Sequence, residues 1–169
     1  LNRLPVATIA LIHGFCVGGG TGVAAACDVV VASEDAKFAI SEARWGVTAA
    51  VIVPHLVDAI GARQVRRYAL TCERFDAREA QALGLVHEVV ARDQLEAKGD
   101  EILDALLECG PDAIAETKNL TLGYSHGGLS GGAMETLIEI HSAKRQSAEA
   151  GEGLASFAEK RSASWSPKS

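Results

Sequence analysis

Glycines occupy positions 18, 19, 20 and 22, and Glu42, a glutamate with Ala43 and Trp45 beside it rather than other acids, stands twenty residues beyond the last of them. Four glycines within five positions remove the Cβ atoms that would keep a ligand off the backbone, and a helix beginning there leaves unpaired N–H donors facing outward. Such donors favour an anion, or an oxygen on which negative charge develops during reaction. A partly buried carboxylate with no acidic neighbour is suited to exchanging a proton with a substrate. The competing reading of Glu42 is a structural ion pair with Arg44 or another base. The competing reading of the glycines is close packing with no ligand.

Other chemistries compete for the same residues. A phosphate loop of the G-x-x-x-x-G-K-[ST] type fails because no lysine follows the glycines. Gly20-Thr21-Gly22-Val23-Ala24-Ala25 satisfies the dinucleotide pattern G-x-G-x-x-A, with Glu42 at the spacing of the ribose-binding acid. The helix available there has only six to eight residues, about 10 Å at 1.5 Å per residue, which argues against a crossover that returns the next strand alongside the first. Two G-x-S-x-G matches, at 123–127 and 128–132, resemble a hydrolase nucleophile elbow, yet they follow the polar run 116–121 instead of a buried strand. No aspartate occurs beyond Asp112, and beyond the motif the remaining histidine is His141 in a helical stretch, so a surface loop is expected there. His13, His55 and His87 form no metal-ligand pattern, and Arg63, Arg66 and Arg67 read as a solvated helix face.

The elements around these residues follow from pattern. Residues 6–12 are apolar and β-branched on nearly every position, as a strand buried on both faces requires, and 28–32 repeats the signal. Between them, 23–27 forms a compact small-residue helix. Residues 36–40, after the turn at 33–35, alternate polar and apolar. From 54 to 71 the apolar positions follow a helical face broken by Gly61, predicting two short helices or one bent one. Asp76 three residues ahead of Glu79 marks a helix start, and Gly84 its end. A strand at 85–90 precedes an amphipathic helix at 92–109, with Ile102, Leu103, Leu106 and Leu107 inward. Further helices are expected at 111–122, 133–150 and 152–161, the last with an apolar stripe of Leu154, Phe157 and Ala158, and the tail 162–169 is expected to fray.

The 169 residues, 48% of them apolar, suffice for one folded unit with a real core. A formal charge of −6 argues against long-range attraction to nucleic acid or an anionic membrane, so any anionic ligand must be held locally. Cys16, Cys27, Cys72 and Cys109 show no C-x-x-C pairing, which suits free thiols in a reducing compartment, and a cytoplasmic location is expected. No apolar run approaches the ~20 residues that span a bilayer. The sequence starts at Leu1 and enters a strand almost at once, so a preceding piece is expected to be missing.

The stretches 12–32, 36–38, 41–46, 80–90 and 152–161 together resemble the enoyl-CoA hydratase/isomerase (crotonase) superfamily. The resemblance implies an α/β fold: a spiral of ββα turns over 1–53, partial because the N-terminal third is absent, then a mostly helical region over 54–169 that builds homotrimers or hexamers. It implies that Gly19 donates its N–H to a thioester oxygen and that Glu42 delivers or removes the α-carbon proton. Gly18, Gly20 and Gly22 line the substrate, and Lys160 offers a base to the phosphates of coenzyme A. No separate cofactor is implied, because CoA is part of the acyl-CoA thioester substrate. Stretches 41–54, 66–80 and 141–161 look most like hydratases of isohexenylglutaconyl-CoA, then of methylglutaconyl-CoA. Such substrates carry a further carboxylate that Arg44 could pair.

This sequence departs from the family pattern at Gly22, where many of its hydratases carry a second glutamate that orients water. Three solutions stay open. Glu42 handles both proton transfers, another group holds the water, or the chemistry is a one-carboxylate double-bond isomerisation. A catalytically silent assembly subunit is a further alternative.

Overall fold

The computed structural model describes residues 1–124 and 131–167, so both G-x-S-x-G matches fall partly outside the described residues. The chain divides into two compact units, one made of residues 1–2 and 8–101, the other of 3–7 and 102–169. The predicted boundary at 53/54 therefore differs from the observed one: residues 54–101 pack with the strands.

The first unit is built on two three-stranded sheets. In one, β1 (Ile9–Ile12), β3 (Val29–Ser33) and β6 (Glu88–Val90) run parallel in the order β1-β3-β6. The central strand is the one whose sequence is apolar without alternation, since both of its faces are covered: Val30, Val31, Ala32 and Ser33 are all buried. Polar side chains hold the ends of this ladder in register. Thr8 donates from N and Oγ to Asp28 Oδ2 at 2.8 and 2.7 Å, and the Asp28 N–H donates back to Thr8 Oγ. At the next strand pair, His87 Nδ1 accepts the Val30 N–H at 3.0 Å while the His87 N–H donates to the Val30 carbonyl. His87 is thus a strand clasp.

The second sheet pairs β2 (Phe15–Val17) parallel to β4 (Lys37–Ala39), with β5 (Phe75–Asp76) antiparallel to β4. Between β2 and β3 lies the seven-residue helix α1 (Gly19–Ala25), in the length range expected. The inference drawn from that shortness fails, however, because β3 does lie beside β1 in parallel, Ile9 opposite Val29. The chain leaves the first sheet for β2 before entering α1, so the strand and helix together span the crossover. The unit is a ββα turn in which the strands belong to different sheets.

α2 (Val53–Thr71) is bent at Gly61, whose φ of 75° and ψ of 149° are non-helical, matching the expected break. Leu56, Ile60, Val65 and Tyr68 form its buried face, and Tyr68 packs on Phe75, which stacks on Phe38. Asp76 caps α3 (Ala77–Leu83) by accepting the Glu79 N–H, and Gly84 ends it at φ 94°. α4 (Leu95–Leu107) corrects the expected inward face. Leu103 and Leu107 are exposed, whereas Leu95 and Gly99 are buried, the Gly99 backbone lying against Leu11 of β1.

In the second unit, Glu149 of α7 (Ala148–Glu159) accepts the Asp112 and Ala113 N–H groups at 2.7 and 2.8 Å, closing the start of α5 (Pro111–Tyr124). α6 (Gly131–Arg145) ends earlier than expected because Ser147 caps α7 through the Ala150 N–H. The tail does not fray through residue 167. Ala163 and Ser166 are buried, and Trp165 Nε1 and Ser166 Oγ bond Glu108. Leu154 and Phe157 of the expected apolar stripe are exposed. No helix among the described residues is long and apolar enough to cross a membrane.

Candidate active site

The parallel pairing of β2 with β4 places Val17 opposite Ala39, so the two chains leave the sheet side by side, one into the glycines and the other into Ser41 and Glu42. Twenty-odd residues of sequence separation disappear through this register alone. The Gly18 N–H donates to the Ala39 carbonyl at 2.9 Å, and buried Thr21 Oγ lies 2.7 and 3.0 Å from the Cys16 and Ala39 carbonyls. These bonds tie the start of α1 to the strand that carries the carboxylate. Thr21, read in the sequence only as part of the glycine run, is the anchor of the turn.

Gly18 has φ 55° and ψ −124°, a conformation that side-chain-bearing residues avoid. A Cβ there would also lie 3.2 Å from Glu42 Oε1 and 3.4 Å from Ser41 Oγ. Glycine thus serves two ends, the turn itself and the close approach of the carboxylate. Gly19 and Gly20 are exposed, nothing lies within 4 Å of the space a Cβ on Gly19 would take, and no described residue supplies an acceptor for either N–H. Gly19 therefore presents a free backbone donor, as α1's first residue, beside the buried Gly18 that contacts Glu42.

Glu42 opens a short 3-10 turn, Glu42–Trp45, that ends at Gly46 with φ 70°. Its Oε2 is buried and has no hydrogen-bond partner among the described residues. That is the outstanding feature of the site. Buried polar atoms are nearly always bonded, and leaving one without a partner costs about 1–3 kcal/mol, more when it is charged. The structural ion pair with Arg44 does not form. Arg44 instead donates from Nη2 to the Cys72 carbonyl at 3.2 Å, and Glu42 joins no salt bridge among the described residues.

Gly22 lies elsewhere than a substrate-lining position implies. It is buried, and a Cβ on it would fall 2.0 and 2.3 Å from Ile52 Cγ2 and Cβ. The space that any side chain at position 22 would need is filled by Ile52, a contact thirty residues away that pattern reading did not find. Gly20 is open, its Cα side nearest to Cys16 Sγ. Lys160, in the second unit, is exposed and ends α7 in a left-handed conformation, φ 55°. Gly18, Gly19, Ser41 and Glu42 thus form one cluster, with Arg44 two residues along the same turn. Ser41 was missed although it directly precedes Glu42.

The chain is similar to known proteins over nearly its whole length. The model of the family described as "Enoyl-CoA hydratase/isomerase" matches residues 1–168. The chain is 36% identical over 162 residues to mevalonyl-coenzyme A hydratase sidH of Aspergillus fumigatus, covering 94% of this chain and 60% of that protein. It is 31% identical to a mitochondrial Delta(3,5)-Delta(2,4)-dienoyl-CoA isomerase of Dictyostelium discoideum, covering 95% and 55%. Among solved structures, Pseudomonas aeruginosa AtuE superposes with a TM-score of 0.92 at 40% identity, covering 98% of this chain and 64% of the other. The chain spans about 60% of the length of these relatives. With the family model matched over nearly the whole sequence and a relative 36% identical across 94% of it, the chain belongs to the enoyl-CoA hydratase/isomerase (crotonase) family.

Proposed function

We propose that the protein adds water across the Cα=Cβ bond of an enoyl-CoA thioester, with Gly19 as the oxyanion donor and Glu42 as the proton carrier. The observation that carries this reading is the Glu42 carboxylate, whose buried Oε2 has no partner among the described residues and whose Oε1 lies 3.2 Å from the Cβ position of Gly18, the residue preceding the open Gly19. A carboxylate kept for structure would be paired; one kept for proton transfer is left free to bind what it acts on.

The chemistry needs both groups. When water attacks the β-carbon, the π electrons move to the α-carbon and onto the thioester oxygen, giving an enolate-like state. A backbone N–H already aimed at that oxygen stabilises the charge without reorganising, and one such donor is worth about 2.7–4 kcal/mol of barrier in other enzymes. Glu42 accepts a proton from the attacking water and returns it to the α-carbon. One carboxylate can thus serve both transfers in sequence.

The acyl group in this reading is of the branched glutaconyl type, isohexenylglutaconyl-CoA or methylglutaconyl-CoA. Arg44 supports it: a guanidinium has five N–H donors, one bond to the Cys72 carbonyl leaves others available, and the residue is exposed two positions from Glu42. Lys160 serves the CoA phosphates, and the exposed Leu154 and Phe157 suit burial in a trimer or hexamer.

Ile52 favours a second reading. Because it occupies the space beside Gly22, no second carboxylate can stand there, which suits double-bond isomerisation by Glu42 alone. Incubating the full-length protein with methylglutaconyl-CoA and weighing the product separates the two. Hydration adds the mass of one water; isomerisation shifts the double bond at constant mass.

A further inference from the structure

The hydroxyl of Ser41 is placed for more than structure. A serine at the start of a helical turn ordinarily accepts a first-turn N–H through its side chain. Ser41 precedes the turn carrying Glu42 with φ −105° and ψ 1°, and its side chain makes no capping bond. No described residue bonds the hydroxyl otherwise. Its Oγ lies 3.4 Å, and Glu42 Oε1 3.2 Å, from one point over the Gly18 Cα. Two polar atoms with capacity to spare therefore flank a backbone position that has no side chain of its own, next to the open N–H of Gly19. Among the described residues, the Cβ direction of Gly22 in α1 meets the apolar side chain of Ile52 instead of a polar group.

We propose that Ser41 positions the water that attacks the β-carbon, supplying the polar contact that position 22 cannot. This rests on the hydration reading above. The Ser41 hydroxyl accepts one O–H of the water, and Glu42 accepts the other. As the water oxygen bonds to the β-carbon and the π bond breaks, that second proton passes to Glu42 and from there to the α-carbon. The hydroxyl ends on the β-carbon, one hydrogen on the α-carbon, and Ser41 and Glu42 are unchanged.

The test compares Ser41→Ala and Ser41→Thr with wild type in the full-length protein, using two readouts. One is hydration of methylglutaconyl-CoA. The other is exchange of α-hydrogens of the saturated analogue, methylglutaryl-CoA, with deuterium oxide, a step that uses Glu42 and the oxyanion donor but no attacking water. Loss of water positioning predicts that Ser41→Ala lowers kcat for hydration ~10- to 100-fold, with KM and α-exchange each within about twofold of wild type. Ser41→Thr, which keeps the hydroxyl, restores most of the rate. An equal loss in hydration and exchange would show that Ser41 only holds Glu42 in place, and unchanged hydration in Ser41→Ala would show no role; either overturns the proposal. Wild-type protein that shifts the double bond without gaining water would overturn the hydration reading and the role of Ser41 with it.

Discussion

Replacing Gly22 with alanine is the perturbation whose cost follows most directly from the geometry. Gly22 is helical and buried in α1, where alanine is ordinarily favoured over glycine by about 0.5–1 kcal/mol. Here the added Cβ would sit 2.0 Å from Ile52 Cγ2 and 2.3 Å from Ile52 Cβ. The second distance decides the outcome, because a Cβ cannot be rotated away and the backbone of one element must shift. Overpacking of this kind costs about 1–3 kcal/mol, and so severe a contact belongs at the upper end, ~3 kcal/mol. For a chain of this size that lowers the melting temperature by about 6–12 °C. Ile52→Gly alone removes half-buried apolar surface and costs ~2 kcal/mol. In the Ile52→Gly background the clash is gone, and Gly22→Ala becomes neutral or slightly stabilising. Urea unfolding of wild type, both single variants and the double variant measures the coupling, expected at ~3 kcal/mol. Additive costs, or a Gly22→Ala effect below about 0.5 kcal/mol in the wild-type background, would refute the steric account of position 22.

Two further outcomes follow from the same kind of reasoning. Gly18→Ala, at a positive φ and with its Cβ 3.2 Å from Glu42 Oε1, should lower turnover at least about tenfold while costing ~1–3 kcal/mol of stability; steady-state kinetics and thermal melting check both. In the second unit, hydrogen bonds from the Arg161 guanidinium and the Ser164 N–H hold the Glu152 carboxyl at about 2, below its ordinary 4.5. A depressed carboxylate stabilises fully above its unfolded value and loses that contribution as pH falls through the folded one. The stability gap between wild type and Glu152→Gln should therefore be constant above pH ~4.5, narrow toward pH 2 and close below it; a gap undiminished at pH 2 would contradict the pairing.

What the sequence made legible was local. The unbroken apolar run of β3 announced a strand covered on both faces, Gly61 announced the bend in α2, and Asp76 with Gly84 bracketed α3, because each signal acts through the backbone of its own segment. What escaped depends on partners distant in the chain. Leu103 and Leu107 follow a helical face as well as any buried pair, yet the buried side of α4 is set by Gly99 meeting Leu11. The crossover was misjudged because a helix length says nothing of a strand inserted into another sheet. At the site, Gly18, Gly19 and Glu42 stood out by type and spacing, and the register of β2 with β4 brings them together. Gly22 looked like more of the same glycine run, and only the packing of Ile52 reveals that it is closed. Ser41 carried no pattern at all. Its relevance comes from an unused hydroxyl beside an unpartnered carboxylate.

The central claim is that Glu42 moves the proton, and the isosteric Glu42→Gln variant tests it most directly. The amide keeps the shape of the carboxylate and removes the ionisable oxygen, so the protein should melt no lower than wild type, since an unpartnered buried oxygen contributes no stability. Turnover of methylglutaconyl-CoA by the full-length protein, measured at saturating substrate, should fall ~10²- to 10⁴-fold, the range general acid–base catalysis supplies. Undiminished turnover in a folded Glu42→Gln variant would contradict the account.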